Sequence, residues 1–346
     1  MRSLIYGYGE TGKSFERYLN KQNKDFDIFD DNIGKYNQEL DLKSYDEIFC
    51  SPGIERNIFK NLHNQNKNVF TDLDIFFKED TSIKIGITGT NRKSTTAYHL
   101  SQLFERYDSA NLIGNIGNTM LDYINNDKTF SIIELSSFQL DKMRSNKLDF
   151  GILLNLDIDH LDYHGNLASY EKAKKRILMA KQKISYETDP YKLFEWITES
   201  KPKKIKFYNL PYRYEIISSN VVNDSKSTNY HSLSHALKKA KHSFKKSKYS
   251  LIVCGDPKKE GYRNIKVDGP EKIYIFGSYA ENINECIEHP KKIIVNSLDD
   301  ALNQIYENTR PNNILFSPGY PSGNDFKNYS ERGKYFNLKL EKYLSK

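Results

Sequence analysis

Short apolar runs that end in Gly, Ser, Asp or Thr alternate along this chain with amphipathic helical stretches. That rhythm is the mark of an α/β fold: each run has strand length, and each following stretch offers one apolar face to lay against a sheet. With 346 residues the chain has room for two or three domains. Three segments can be read. Residues 1–82 open with a strand at Ser3–Tyr6, run through a helix to about Asn23, and place further strands at Phe26–Phe29 and Glu47–Cys50. Residues 83–217 begin with the strand Lys84–Thr88, followed by strands near Ser131–Leu135 and Gly151–Asn155 and a helix near Ser169–Ala180. Residues 218–346 carry strands at Ser250–Val253, Lys272–Phe276, Lys292–Val295 and Asn313–Phe316.

Composition narrows the functional classes. Hydrophobic residues make up 38% and charged residues 28%, a polar mixture that still supplies enough Ile, Leu, Phe and Tyr for real cores. The formal charge of +7 suits anionic small molecules such as nucleotides as well as nucleic acid. The basic run Lys238–Lys248 reads as the solvated face of a helix, and no aromatic-basic stacking module accompanies it, so no nucleic-acid partner is expected. Cys50, Cys254 and Cys286 are far apart and odd in number, which gives neither metal spacing nor a disulfide framework and points to a reducing compartment. The first residues lack an apolar signal core, and no stretch approaches the roughly 18 apolar residues of a membrane helix. The expectation is a soluble, cytoplasmic protein without a membrane partner.

The first segment carries Gly7-Tyr8-Gly9-Glu10-Thr11-Gly12 between a strand and a helix. Glycines there allow a tight turn and let a helix N-terminus face a diphosphate. A plain strand-helix turn would produce the same pattern. Asp30 and Asp31 end the next strand, where a ribose or base contact is expected, although a polar turn explains them equally well. Ser51-Pro52-Gly53 is another strand-end turn able to face the same crevice.

The second segment is more specific. In Gly86-Ile87-Thr88-Gly89-Thr90-Asn91-Arg92-Lys93-Ser94-Thr95 a strand and a Gly- and Thr-rich turn lead to Lys-Ser at a helix start. Such a loop surrounds phosphates with backbone N–H groups, neutralises β/γ charge with the lysine and offers the serine hydroxyl to Mg²⁺. Glu134, ending the strand before Leu135-Ser136-Ser137-Phe138-Gln139, stands where a second Mg²⁺ ligand belongs. Asn155-Leu156-Asp157-Ile158-Asp159-His160 ends the next strand with carboxylates and an imidazole, and His160 is a candidate metal ligand beside the structural role common for such a histidine.

At these residues the chain resembles the Mur ligases of peptidoglycan synthesis, in the branch that adds D-glutamate. The resemblance rests on Gly89-Thr90-Asn91-Arg92-Lys93-Ser94-Thr95, Gly114-Asn115-Ile116-Gly117, Glu134-Leu135-Ser136-Ser137-Phe138-Gln139-Leu140 and Asp159-His160-Leu161-Asp162. Val222 through Asn229, Ser317-Pro318 and Phe326-Lys327-Asn328 extend it over all three segments. It implies a Rossmann-like N-terminal domain for the UDP moiety, a central domain of the P-loop ATPase type, here shortened, and a Rossmann-like C-terminal domain bringing the amino acid. It further implies ATP as co-substrate, two Mg²⁺, and UDP-N-acetylmuramoyl-L-alanine and D-glutamate as substrates; a monomer is expected.

By the same resemblance Lys93 holds ATP phosphates, Ser94 and Glu134 hold one Mg²⁺, and His160 ligates the other. Asn115 and Ser136 contact the muramoyl-alanine end. Lys174 matches a lysine that the family carbamylates, which would turn a cation into an anion able to support the second metal; read without the resemblance it is one of several helix lysines. Asp224 matches a ribose contact and Arg213 an arginine near ATP. Lys226 and Thr228 match an active-site lysine and threonine, while Lys258, Ser322 and Phe326 match D-glutamate-binding positions.

Two departures stand out. Arg92 occupies the position of a loop glycine, and the stretch between Lys174 and Asn223 is shorter than usual, without a match for the His-Asn helix that helps bind adenine. Arginine can open a helix if its φ is negative, and its side chain would then point away from the nucleotide or lie along the γ-phosphate. The expected reaction is amide formation through an acyl phosphate, with no Ser-His-Asp or Cys-His constellation to support a covalent enzyme route. The alternatives are a ligase of the same superfamily adding another amino acid or extending folate, and a catalytically silent nucleotide-binding homologue.

Overall fold

The computed structural model describes residues 2–106, 110–307 and 313–344. Apolar strands alternating with one-sided helices assemble into three main sheets of four, five and six strands. The first is parallel throughout, in the order Asp25–Phe29, Arg2–Tyr6, Glu47–Cys50, Val69–Phe70. The central sheet is also parallel, in the order Ala110–Gly114, Phe130–Glu134, Ile83–Thr88, Phe150–Leu153, Gln182–Ser185. The third runs Glu215–Ser218, Val221–Asn223, Asn313–Phe316, Tyr249–Val253, Lys272–Ile275, Lys292–Ile294, with only its first pair antiparallel.

Inner strands match the sequence reading closely, while the central sheet's edge strands Ala110–Gly114 and Gln182–Ser185 escape it. Gln182–Ser185 is mostly exposed and polar, so no apolar run marks it. The helix expected at Ser169–Ala180 is an α-helix over Leu167–Lys175 that tightens into a 3₁₀ turn at Arg176–Met179.

The chain divides into two compact units, Met1–Leu156 with Tyr163–Tyr208, and Asp157–Asp162 with Asn209–Lys346. Two sheets therefore share the first unit. Arg17 pairs with Asp122 through two hydrogen bonds of 2.8 and 2.6 Å, and Arg56 reaches Asp141 at 3.1 Å, tying the first sheet's helices to the central domain. The aliphatic core of the central sheet includes Ile85, Ile87, Leu100, Ile132 and Ile152, all wholly buried.

In the first sheet the glycine-rich turn is a packing device. Gly7 has φ of +89°, a left-handed value that favours glycine, and its carbonyl comes so close to Gly12 that a Cβ there would lie 2.3 Å away. The last glycine of the turn thus allows the helix Glu10–Lys21 to approach the strand end. We expect Gly12→Ala to destabilise the protein by about 1–3 kcal/mol, the usual range for forced overpacking, measured by urea unfolding; unchanged stability would show that the turn relaxes freely.

Candidate functional site

Parallel strands end on one edge, and the loops leaving that edge are where an open α/β sheet binds its ligands. In the central sheet Gly114 is in register with Glu134, and Ile87 with Glu134 on the other side, so three strand ends lie side by side. Gly114 has φ of +102°, and a Cβ there would sit 2.4 Å from the Glu134 carbonyl; glycine lets the chain turn tightly into Asn115. Asn115 N–H donates to the Glu134 carbonyl at 2.9 Å, and its Nδ2 donates to Glu134 Oε1 at 2.8 Å. The other carboxylate oxygen, Oε2, is buried and has no hydrogen-bond partner, in a residue that is 1% exposed. Ser136, two residues on, caps the helix Ser137–Lys142 in a reciprocal box with Gln139.

The phosphate loop leaves the strand Ile83–Thr88 and is braced by Asn155. Thr90 N–H donates to the Asn155 carbonyl at 2.9 Å, Asn91 N–H to Asn155 Oδ1 at 2.8 Å, and Asn155 Nδ2 returns a bond to the Asn91 carbonyl at 2.9 Å. Lys93 begins the helix Lys93–Glu105 and curls back, its Nζ donating to the carbonyls of Gly89 and Thr90 at 2.9 Å each. Ser94 is buried in the first turn and Thr95 half-buried beside it. Lys174 is 1% exposed and therefore no surface lysine. Its Nζ donates to Thr88 Oγ1 at 3.2 Å and lies 5.1 Å from the Tyr170 ring centre, while Tyr170 and Thr90 hydroxyls meet at 2.9 Å. Lys93, Ser94, Glu134, Asn115, Ser136 and Lys174 are thus all gathered at the strand ends of one sheet.

Arg92 departs from its expected conformation. Its φ is +67°, so it holds the left-handed backbone that a glycine would adopt, at a cost of roughly 1–2 kcal/mol. The side chain is exposed and reaches Thr188 Oγ1 at 3.4 Å.

In the first sheet Asp30 is already engaged, accepting from Tyr8 N–H at 2.7 Å and Asn32 N–H at 2.9 Å, which leaves Asp31 as the exposed carboxylate of the pair. Gly9 caps the helix, where Glu10 pairs with Lys13 at 2.9 Å and Thr11 is half-buried. Ser51 donates its hydroxyl to the Gly7 carbonyl at 2.6 Å, so the Ser51-Pro52-Gly53 turn closes on the glycine-rich one.

The second unit holds the remaining candidates. Asp224 is 9% exposed, and its carboxylate accepts from Tyr214 N–H at 2.8 Å and Ser317 Oγ at 2.9 Å; burial pushes its pKa up to about 7. It is committed to bracing this unit rather than standing free. Lys226 and Arg213 approach the Tyr329 ring at 4.0 and 5.9 Å, and Arg213 Nε is buried without a partner. Thr228 is half-buried just before the helix Tyr230–Ser243. The exposed Lys258 and the buried Ser322 belong to adjoining loops, joined where Asp256 N–H donates to the Pro321 carbonyl at 3.0 Å, whereas Phe326 packs against Tyr335. His160, with φ of +51°, lies on Asp157–Asp162, the segment grouped with this unit; Asp159 accepts its backbone N–H at 3.0 Å. Among the described residues no three His, Cys, Asp or Glu side chains converge as a metal cage. The Asn155 brace, the buried Lys142 and the half-buried Arg176 carry no sequence signal, since their roles depend on strands and loops far along the chain.

The strand-end loops coincide with a family pattern: that of the Mur ligase middle domain matches residues 87–252. Over nearly the whole chain the similarity is to curated UDP-N-acetylmuramoylalanine–D-glutamate ligases. That of Francisella philomiragia is 28% identical over an alignment of 400 positions, covering 96% of this chain and 95% of its own. That of Buchnera aphidicola subsp. Schizaphis graminum is 29% identical over 415, covering 95% and 90%. The fold is shared with the MurF ligase of Thermotoga maritima, solved with ADP, at a TM-score of 0.60 and 13% identity over 99% of this chain and 95% of that one. It is shared also with the pseudomurein peptide ligase type C of Methanothermus fervidus, at 0.57 and 13% over 99% of each.

Relief of the Arg92 backbone gives a direct measurement. Arg92→Gly should raise stability by about 1 kcal/mol, because glycine adopts positive φ without a Cβ penalty and the exposed contact to Thr188 adds little. A lower melting temperature in the variant would mean that the arginine side chain holds the loop.

Proposed function

We propose that this chain is the ATP-dependent, ADP-forming ligase that joins D-glutamate to UDP-N-acetylmuramoyl-L-alanine in peptidoglycan precursor synthesis, a step of cell-wall biogenesis that serves cell shape and division. The observation that carries the reading is Glu134. A buried carboxylate with one oxygen anchored and the other unpartnered is costly unless a cation completes it. Mg²⁺ fits: the Glu134 carboxylate and the Ser94 hydroxyl are hard oxygen donors at the phosphate loop, and phosphates and water complete the shell of such an ion. When bound, Mg²⁺ neutralises charge on the β- and γ-phosphates. Lys174, as its carbamate, would support a second Mg²⁺, and its burial against the Thr88 hydroxyl suits a side chain that works other than as a solvated cation; His160 remains the candidate imidazole ligand for such an ion.

The assignments follow the three segments. Residues 1–82 hold the UDP moiety through Gly9, Glu10, Thr11, Asp31 and the Ser51-Pro52-Gly53 turn, with Asp30 bracing that turn region. Residues 83–217 hold ATP, and residues 218–346 bring D-glutamate through Lys258, Ser322 and Phe326, with Lys226 and Thr228 beside them. Arg213 serves the nucleotide. Lys93 releases the loop carbonyls and turns to the phosphates, while the loop N–H groups surround them. Asn115 and Ser136 hold the alanine end, whose carboxylate attacks the γ-phosphate, breaking its bond to the β,γ-bridging oxygen and releasing ADP. The acyl phosphate is then attacked by the amine of D-glutamate, giving an amide and phosphate. Positioning and preorganised charge supply the catalysis. No described helix is long and apolar enough to cross a membrane, and we place the protein in the cytoplasm as a monomer.

The test is ADP release with UDP-N-acetylmuramoyl-L-alanine and each amino acid in turn. Turnover is expected with D-glutamate alone, and turnover with a different amino acid, or none, overturns the reading. Glu134→Gln, which keeps the shape but removes the charge, should cut kcat by roughly 10²–10³ without lowering the melting temperature. Lys174→Ala should lose activity and regain part of it when a short carboxylic acid is supplied; full activity in the unsupplemented variant would remove Lys174 from the site.

A further inference from the structure

The helix Ser137–Lys142 ends on a side chain that the reaction above does not use. Lys142 is 3% exposed, and its Nζ donates to the Pro52 carbonyl at 2.8 Å and to the Tyr163 hydroxyl at 2.6 Å. The rings of Tyr163 and Phe59 lie 4.7 and 5.5 Å from it. Burying an ammonium is expensive, and an apolar side chain of similar length would fill the same space at less cost to stability. What the ammonium adds is geometry: a directed bond from one loop to one helix.

That bond closes a continuous series of contacts. The glycine-rich turn bonds to Ser51 through the Gly7 carbonyl, Ser51 leads into Pro52, and the Pro52 carbonyl receives Lys142. From Lys142 the helix runs back to Ser136, its cap, and to Glu134 on the strand before it. Arg176 holds the same C-terminal end of the helix, donating to the carbonyls of Leu140 and Asp141 at 2.7 Å each and to that of Met143. The helix's C-terminal end is thereby fixed, its N-terminal end is capped by Ser136, and the first sheet's turn is bonded to it.

We infer that Lys142 is a positioning residue that sets the distance between the Ser51-Pro52-Gly53 turn and the Glu134 end of the central sheet, and so fits the first unit to a nucleotide-linked substrate of one length. This rests on the ligase reading, since only a substrate bound at both places feels that distance. Lys142 acts through Pro52 and the helix.

The groups that face Lys142 give the arrangement a pH signature. Cys50 and Asp141 favour its charge, Arg56 opposes it, and burial dominates, lowering its pKa to about 8. Tyr163, raised by burial and by Asp141, stays protonated, and His164, lowered to about 4 chiefly by burial, stays neutral. As the pH passes about 8 the ammonium is lost, and the bond to Pro52 weakens from a charged to a neutral one.

Lys142→Met and Lys142→Arg test this. In Lys142→Met the KM for UDP-N-acetylmuramoyl-L-alanine should rise roughly tenfold, the scale of a lost charged hydrogen bond, with the KM values for ATP and D-glutamate little changed. In the ligand-free protein the amides of Gly53 and Ile54 should exchange faster than in the parent. The parent's precursor KM should climb above about pH 8, while Lys142→Arg, whose charge does not titrate, stays flat. Unchanged precursor KM and unchanged exchange overturn the proposal, as does an equal rise in all three KM values with a fallen melting temperature, which marks a merely structural lysine. If the parent does not turn over the precursor, the ligase reading has failed, and amide exchange alone decides whether Lys142 clamps the turn.

Discussion

A half-satisfied carboxylate organises the central sheet. Glu134 keeps one oxygen against Asn115 and the other without a partner in a place that excludes water, an arrangement set among the buried apolar side chains of the central sheet. The register that sets Gly114 and Ile87 beside Glu134 delivers Asn115 on one side and the phosphate loop on the other. Everything proposed for this sheet, from the cation to the alanine end of the precursor, takes its place from that alignment.

The phosphate loop shows how such an alignment tolerates a poor local choice. Arg92 sits in a left-handed conformation against its intrinsic preference, yet Asn155 holds the loop from both sides with three hydrogen bonds. A bracing residue far along the chain over-determines the turn, and backbone strain of this size persists only where the surroundings do so. The expected negative φ failed for this reason: helix-start preference is a weaker term than a loop pinned by its neighbour strand.

The first unit joins two sheets through charged and buried polar contacts, Arg17 with Asp122, Arg56 with Asp141 and Lys142 with Pro52. Directed bonds of this kind fix distances more tightly than apolar contact does, and a substrate that spans both sheets depends on distance. In the second unit Asp224 plays a similar bracing part, its carboxylate taken up by Tyr214 and Ser317.

The sequence by itself determined the α/β class, the inner strands and the phosphate loop, because buried strands need apolar runs and phosphate chemistry needs Gly, Lys and Ser in a fixed local order. It also marked Glu134, which ends a readable strand. Edge strands such as Gln182–Ser185 stayed hidden because exposed backbone pairing demands no apolar pattern. Only the tertiary structure decided that Lys174 is buried while Arg92 faces solvent, that Asp30 and Asp224 are engaged, and that Lys142 binds Pro52. A lysine on a helix reads the same in sequence whether it meets water or a carbonyl. The difference lies in what the rest of the chain packs against it.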